Sequence, residues 1–306
     1  MTGAVLILGC GYTGSRVTRL LLRRGLPVHV TAREPATLDG LARAGATPLL
    51  LDVRDPGHLA DLAARVATLP APLAVLHSVP LVEEGAVEVD PTPRLIAALG
   101  ERPVRLVYLS TTSVYGATTV VDERTPPAPR VERESLRLAA EGAAAQGPWA
   151  TLVLRLAAIY GPGRGVHVAV RTGRFRAVET GRPVISRIHV DDLAALIEAA
   201  LLSRVVGAYP VADDEPATSA EVAAFAARLL CMPPTIPGPP VHESGIAHVE
   251  RRVDGRAIRR LLGVTLRYPW YHDGIPAAID AEDDERARTG PKAGPATGSP
   301  GSTDRQ

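Results

Sequence analysis

The chain has 306 residues, of which 46% are hydrophobic, and its formal net charge is +1 at pH 7. This hydrophobic content is enough to bury a sizeable core, and the small charge excludes a global attraction to nucleic acid or to an anionic membrane. The two cysteines, Cys10 and Cys231, form no CxxC pair, so we expect a reducing, cytoplasmic environment. No stretch approaches the roughly 18 uninterrupted apolar residues of a membrane span, which predicts a protein without a membrane partner.

Buried strands and amphipathic helices alternate through the first half of the chain. An apolar run from Ala4 to Leu8 predicts a strand buried on both faces, and a 3.6-residue period from Ser15 to Arg24 predicts the following helix. The alternation continues with strands predicted at 28–31, 49–51, 74–77, 104–109 and 151–156, and with helices predicted at 38–44, 59–67, 94–99 and 132–145. This spacing predicts an α/β fold with a doubly wound parallel sheet of Rossmann type.

The regular pattern weakens after residue 160. Helices are predicted at 191–202 and from Thr218, where Glu221 completes a capping box. We expect an NAD(P)-binding domain over 1–160 and a smaller substrate-side lobe over 161–280, with parts of that lobe interleaved on the sheet. Residues 281–306 are rich in glycine, proline, small polar and charged residues, which predicts a disordered tail.

A glycine motif, Gly9-Cys10-Gly11-Tyr12-Thr13-Gly14, joins the first predicted strand to the first predicted helix. A GxGxxG sequence in this position is typical of dinucleotide-binding domains. Gly9 permits the tight turn, Gly11 lets the backbone approach a pyrophosphate, and Gly14 allows close packing of helix on strand. The N–H groups and the positive dipole end of the helix then face the phosphates.

The end of the second strand bears on the choice between NAD and NADP. NAD-binding domains usually carry an acidic residue there for the ribose hydroxyls, but this position holds Ala32 and is followed by Arg33. A guanidinium binds a 2′-phosphate well, which favours NADP, while the adjacent Glu34 keeps NAD open. Asp52, at the end of the third strand, either meets the adenine or caps a helix.

Several sequence blocks occur together in a fixed order. They are the glycine loop, Asp52-Val53, the sequence STTSVYG at 110–116, Arg155 with YGPGR at 160–164, and IHVDDL at 188–193. With these blocks the chain resembles, from residue 4 to about residue 280, the extended short-chain dehydrogenase/reductases, the NAD-dependent epimerase/dehydratase family. Its GxGxxG spacing, in place of the family's usual GxxGxxG, resembles the atypical subgroup.

The resemblance implies a catalytic Ser or Thr together with a Tyr and a Lys four residues later, which exchange a proton with the substrate oxygen during hydride transfer. Thr111 matches the Ser/Thr, but Arg133 and Arg137 stand at the Tyr and Lys places. A guanidinium does not replace a phenol as proton donor and acceptor, although Arg137 can still hold the ribose as a cation. Tyr115, four residues after Thr111, is either a substitute acid/base or a packing residue of the cleft wall.

Other polar residues leave alternatives open. His77 ends the fourth strand near the nicotinamide side, and it either titrates in the reaction or serves a structural or substrate-contact role. His189, Asp191 and Asp192 have a metal-site composition, but the resemblance implies a strand-to-helix turn capped by Asp191, with no metal. The arginines with an open choice between an anionic substrate and packing are Arg155, Arg164 and Arg187. The five arginines between Arg251 and Arg260 indicate a solvated helix face.

We therefore predict an NADP-binding, atypical reductase or epimerase-like enzyme for a small polar substrate, such as a nucleotide sugar or a carbonyl compound. The alternative is a redox-inactive NADP-binding sensor. The resemblance leaves a homodimer open, because the family commonly dimerises, but the oligomeric state does not follow from the sequence. The predicted catalytic residues are Thr111 and Tyr115, and the predicted cofactor contacts are Gly9, Gly11, Tyr12, Thr13, Gly14, Arg33, Asp52, His77, Ser110 and Arg137.

Overall fold

The computed structural model describes residues 3–175, 183–232 and 250–289. Its strands are β1 (Ala4–Leu8), β2 (Val28–Ala32), β3 (Thr47–Leu50), β4 (Leu73–His77), β5 (Val82–Glu84), β6 (Val87–Val89), β7 (Pro103–Thr111), β8 (Val120–Val121), β9 (Ala150–Leu156), β10 (Ala158–Tyr160), β11 (Val184–Ile185), β12 (Arg187–His189), β13 (Gly207–Val211), β14 (Ala217–Thr218) and β15 (Arg252–Val253). Its helices are α1 (Tyr12–Arg23), α2 (Pro35–Arg43), α3 (Pro56–Thr68), α4 (Thr92–Leu99), α5 (Glu132–Ala144), α6 (Val166–Arg171), α7 (Val190–Leu202), α8 (Ser219–Leu229), α9 (Arg256–Leu262) and α10 (Tyr271–Thr289).

Seven parallel strands form the central sheet, in the order β13-β9-β7-β4-β1-β2-β3. Six of them lie where the hydrophobic pattern predicts strands, so the doubly wound α/β fold is confirmed. The seventh, β13, was not predicted, and its sequence contains Pro210. Strand β13 lies at the edge of the central sheet, where it pairs only with β9. An edge strand tolerates proline, which lacks a backbone N–H.

Helices cover both faces of the sheet. One apolar core joins the sheet to α1, α2, α7 and α9, and includes Val17, Leu21 and Ile197. The other core joins it to α3, α4 and α5, and includes Leu62 and Leu95. Because all seven strands are parallel, their carboxyl ends lie along one edge of the sheet, where ligands bind in open α/β folds.

A separate apolar cluster holds α6, α8 and α10 together in the second half of the chain. The capping box predicted for α8 is confirmed, because Thr218 Oγ1 accepts from Glu221 N at 3.1 Å and Glu221 Oε2 accepts from Thr218 N at 2.8 Å. The division into two domains at residue 160 stays a prediction, since β13 returns to the main sheet. In the described ranges, no helix combines the length and the apolarity that crossing a bilayer requires.

Helix α10 continues into the segment assigned to a disordered tail, so that prediction is wrong for residues 281–289. Its anchor is the buried Glu282, which accepts from Gly163 N at 2.7 Å and lies 2.9 Å from His167 Nε2. Arg171 Nη1 lies 2.9 Å from the other carboxylate oxygen. The local composition gave no sign of these contacts, because they join residues more than 110 positions apart. The remaining predicted tail, 290–306, lies outside the described residues.

Candidate active site

The glycine loop between β1 and α1 is shaped by its three glycines. Gly9 has φ +84°, a left-handed conformation that L-amino acids rarely adopt. A Cβ on Gly14 would lie 3.0 Å from the Gly9 carbonyl oxygen, so only glycine lets α1 approach the loop this closely. A Cβ on Gly11 would meet nothing within 4 Å. The position in front of Gly11 is therefore open space at the start of a helix.

The ends of two neighbouring strands hold this loop in place. Thr31, in β2, accepts from Gly9 N through Oγ1 at 3.1 Å and from Cys10 N through its carbonyl at 2.6 Å. Ser78, just after β4, donates from Oγ to the Gly9 carbonyl at 2.7 Å. Sequence reasoning missed both residues. The available signal was a hydroxyl residue at the carboxyl end of each strand beside β1.

The first turn of α1 offers hydrogen-bond donors to a ligand. A helix leaves its first N–H groups without an intrahelical acceptor, and those of this helix belong to Tyr12, Thr13 and Gly14. No side chain caps the helix at Gly11, and no acidic residue lies in its first turn. These donors and the positive end of the helix dipole suit an anion such as a pyrophosphate. The residues present thus fit the phosphate portion of a dinucleotide.

Two arginines lie beside the Tyr12 side chain. The guanidinium carbon of Arg16 is 4.3 Å from the ring centroid, and that of Arg164 is 5.6 Å away. Arg16 also binds Asp191 Oδ1 at 3.1 Å and the Tyr12 carbonyl at 2.9 Å. Burial raises the pKa of Tyr12 to about 12, so its hydroxyl stays protonated.

The turn before α7 differs from its prediction in one respect. The N-cap is His189, whose Nδ1 accepts from Asp191 N at 3.2 Å, so the prediction that Asp191 caps the helix is wrong. Asp191 instead reaches across to Arg16, and Asp192 accepts from Arg267 N and Tyr268 N at 2.7 and 2.9 Å. Within the described ranges, no group of three or more His, Cys, Asp or Glu side chains has the arrangement of a metal site.

The residues predicted to contact the adenosine lie at the ends of β2 and β3. Arg33 is 62% exposed and has Glu34 Oε1 at 3.6 Å from its Nε. The Asp52 carboxylate already accepts hydrogen bonds within the protein, because Arg54 donates to Oδ1 from both its backbone N at 3.0 Å and its Nε at 2.9 Å. These hydrogen bonds lower the pKa of Asp52 to about 2, so the carboxylate is ionised and paired.

His77 is fully buried at the end of β4. Its Nδ1 accepts from Val79 N at 3.3 Å, which leaves the proton on Nε2, 2.9 Å from Thr92 Oγ1. Thr92 in turn donates to Asp90 Oδ1 at 2.5 Å. Burial lowers the pKa of His77 to about 3, so the imidazole is neutral at pH 7. In this structure His77 is part of a hydrogen-bonded chain beneath the cleft.

The two arginines at the family's Tyr and Lys places form ion pairs. Arg137 is buried, and it donates to Asp90 Oδ2 at 3.0 Å and to the Leu109 carbonyl at 2.8 Å. Arg133 is half-exposed and pairs with Glu88 in β6. The hairpin β5–β6 and the residue after it are thereby tied to α5, through the positions that carry the proton-transfer pair in the family the chain resembles.

The two predicted catalytic residues have different surroundings. Thr111 is partly exposed, and its Oγ1 accepts from Ser113 N at 3.1 Å. Tyr115 is fully buried, with its hydroxyl 3.1 Å from Arg155 Nη1, and burial raises its pKa. Although the residues share one loop, the structure does not bring their hydroxyl groups to a common surface.

A buried network lies behind this loop. Glu141 in α5 accepts from Ser110 Oγ at 2.5 Å and from Arg155 Nη2 at 2.7 Å. The side-chain hydroxyl of Ser110, a predicted cofactor contact, is thus bonded inside the core. Arg187 is also buried and donates to the carbonyls of Ile185 and Ala217. Of the three arginines considered for an anionic substrate, Arg164 is the exposed one.

The arginine run after residue 250 is divided between two roles. Arg251 is buried and donates to the carbonyls of Thr112, Gly116 and Thr118, so it holds the loop that follows β7. The prediction of a solvated helix face is therefore wrong for Arg251. It fits Arg256 and Arg260, which lie exposed on α9.

Comparison with known proteins shows the family of this chain. Residues 5–211 match the model of the NAD dependent epimerase/dehydratase family. The chain belongs to this family. It is 34% identical over 140 residues to the 3-diazoavenalumate denitrifying reductase of a Streptomyces species, a match covering 41% of this chain and 46% of the reductase. It is 29% identical over 280 residues to protein YeeZ of Escherichia coli K12, covering 87% of this chain and 96% of YeeZ.

Solved structures with the same fold include a functionally unknown conserved protein from Silicibacter pomeroyi, at 32% identity and a TM-score of 0.74, covering 92% of this chain and 99% of that one. Another is the NAD complex of UDP-glucose 4-epimerase from Thermus thermophilus, at 21% identity and a TM-score of 0.76, covering 92% and 99% of the two chains. At that identity the second likeness shows the fold alone.

Proposed function

We propose that this member of the family is an NADP-dependent reductase of a small polar substrate. The observation that carries the proposal is the loop from Gly9 to Gly14, where open space in front of Gly11 faces the unpaired N–H groups of α1. Those groups would hold the pyrophosphate. When bound, the cofactor supplies a hydride.

Arg33 supports NADP over NAD. Its exposed guanidinium follows β2, where a 2′-phosphate of the adenosine would lie, and Ala32 offers no carboxylate to repel it. Glu34, 3.6 Å away, opposes this preference. We propose that Arg33 turns from Glu34 to the phosphate, because a bidentate phosphate contact is stronger than an exposed ion pair.

Thr111 is the residue proposed to orient the substrate, since its side chain is partly exposed at the carboxyl end of β7. The other two candidate acids are poor ones, because Tyr115 is bound to Arg155 in the core and His77 is neutral and buried. We therefore propose a substrate that needs no proton from a phenol. Carbonyl reduction leaves an alkoxide to be protonated, whereas replacing the N₂ of a diazonium carbon by hydride breaks a C–N bond, forms a C–H bond and leaves no oxyanion. The denitrifying reductase among the relatives carries a diazo substrate in its name.

The test begins with fluorescence titration of NADPH and NADH against the wild type and the Arg33→Glu variant. We expect the variant to lose at least about tenfold in NADPH affinity, a difference of ~1.4 kcal/mol, with little change for NADH. Oxidation at 340 nm is then followed with an aryl diazonium carboxylate, its matched aldehyde and a nucleotide sugar, each corrected for the reaction without protein. Absence of NADPH and NADH binding would refute the proposal.

A second candidate is the redox-inactive NADP sensor. It is favoured by the ion-paired Arg133 and Arg137 at the places of the missing catalytic pair. Tight NADPH binding without turnover of any panel compound would support this function.

A further inference from the structure

Arg164 presents an exposed cation beside the glycine loop. Its guanidinium carbon lies 5.6 Å from the ring centroid of Tyr12, the first residue of α1. The neighbouring Arg16 is already engaged by Asp191. Across the described residues, no carboxylate pairs with Arg164. Arg164 is therefore available to an external anion.

The turn that carries Arg164 is held by hydrogen bonds on both sides. Gly161 and Arg164 exchange two backbone hydrogen bonds, each 2.9 Å long, and Glu282 accepts from Gly163 N at 2.7 Å. Gly161 has φ +147°, and a Cβ there would lie 2.6 Å from Val190 Cγ1 and 2.9 Å from the Tyr12 hydroxyl. The turn is thus packed directly on the Tyr12 side chain and fixed from the other side by α10.

We propose that Arg164 binds a pyrophosphate at the mouth of the glycine loop, so that the second half of the chain completes the anion site of the first half. A guanidinium suits phosphate oxygens because it donates two parallel hydrogen bonds, and the first N–H groups of α1, the helix that begins at Tyr12, are further donors. Two sources share this chemistry: the cofactor's own pyrophosphate and the diphosphate of a nucleotide-sugar substrate. The inference rests on the proposed function where the source is the cofactor.

The test uses the full-length protein and measures dissociation constants for NADPH by fluorescence and for UDP by calorimetry. Arg164→Gln is compared with Arg228→Gln, which removes the same charge from an exposed position on α8. We expect Arg164→Gln to weaken one of the two ligands by about tenfold, because a charge-assisted hydrogen bond at an exposed site is lost. The affected ligand identifies the source. Arg228→Gln should change neither constant.

Salt dependence and a conservative variant sharpen the result. The affinity of the wild type for the affected ligand should fall more steeply with ionic strength than that of Arg164→Gln, since one screened attraction is missing in the variant. Arg164→Lys should lie between the two, because an ammonium keeps the charge and loses the planar fork. An unchanged thermal midpoint for the exposed Arg164→Gln shows that the fold is intact.

The outcomes separate this inference from the proposed function. If the wild type binds NADPH and Arg164→Gln leaves both dissociation constants unchanged, the inference is wrong and the reductase proposal stands. If the wild type binds neither NADPH nor NADH, the proposed function is wrong, and a tenfold loss of UDP affinity would still support a pyrophosphate site at Arg164. Equal losses in Arg164→Gln and Arg228→Gln would also overturn the inference, because they indicate a general charge effect.

Discussion

The glycine loop and helix α5 lie in the same half of the chain, yet only the loop keeps a residue pattern typical of dinucleotide-binding domains. In the loop, Gly11 leaves open space before a helix start with no side-chain cap. In α5, Arg133 and Arg137 stand where a proton-transfer pair is expected, and both are ion-paired. Binding by the loop depends on backbone shape, whereas proton transfer depends on side-chain chemistry. The side chains that transfer a proton can therefore differ while the backbone of the binding loop keeps its shape.

The side chains around α5 now stabilise the fold. Ser110, Glu141, Arg155 and Tyr115 form one buried network behind the cleft. A buried ion pair depends strongly on both partners, because removing one leaves the other charge desolvated. The loop, in contrast, can be altered at Gly11 with little packing cost, since nothing lies within 4 Å of the added atom.

The largest effect should follow from Glu141→Gln. This change leaves the buried Arg155 without its anionic partner, and we expect a loss of about 3 kcal/mol in the free energy of unfolding. Urea denaturation measures it, with Glu132→Gln, an exposed change on the same helix, as the matched control. A loss no larger than that of the control would mean that the network is not a stabilising core, and the contrast between the two regions would fail.

The loop is tested by Gly11→Ala against Gly14→Ala. The first places a methyl group in the open space, so it should weaken NADPH binding by about a hundredfold, ~2.8 kcal/mol, at an unchanged thermal midpoint. The second brings a Cβ to 3.0 Å from the Gly9 carbonyl oxygen, so it should lower stability as well. Full NADPH affinity in folded Gly11→Ala would contradict the assignment of that space to a pyrophosphate.

The burial of His77 should make the free energy of unfolding depend on pH. Its folded-state pKa of about 3 lies below the ordinary value of 6.5, so the unfolded chain binds the proton first as the pH falls. The stabilisation is present above pH 6.5 and is lost on acidification toward pH 3, amounting to about 2 kcal/mol between pH 7 and pH 5. Urea unfolding at both pH values should show a smaller loss in His77→Asn. An equal loss would place the titration elsewhere.

The sequence was most informative where structure depends on local pattern. Apolar runs and glycine spacing located β1, the turn at Gly9 and the start of α1 to within a few residues. Contacts between distant positions were not accessible in this way. Glu282 meets Gly163 across 119 positions, and Arg251 meets Thr112 across 139, so no local period signals either pair.

Local chemistry also misled at two points. Asp191 was predicted to cap α7, but His189 is the N-cap and Asp191 is bound by Arg16 from another helix. No strand was predicted at β13, which contains Pro210 and pairs on one side only. In each case the deciding partner lies far away in the sequence.

The smallest effect is expected at Arg133, whose ion pair with Glu88 is half-exposed. Because water screens such a pair and two long side chains must be ordered to form it, Arg133→Gln should cost no more than about 0.5 kcal/mol in urea denaturation. Arg137→Gln, at a buried position within the same helix, should cost several times more, because it leaves the Asp90 carboxylate without its cationic partner. Equal costs for the two variants would mean that the ion pairs of Arg133 and Arg137 contribute equally to stability. An unequal result in the expected direction would make Arg133 the replaceable member of the pair, and thus the position at which a tyrosine could be restored with least damage to the fold.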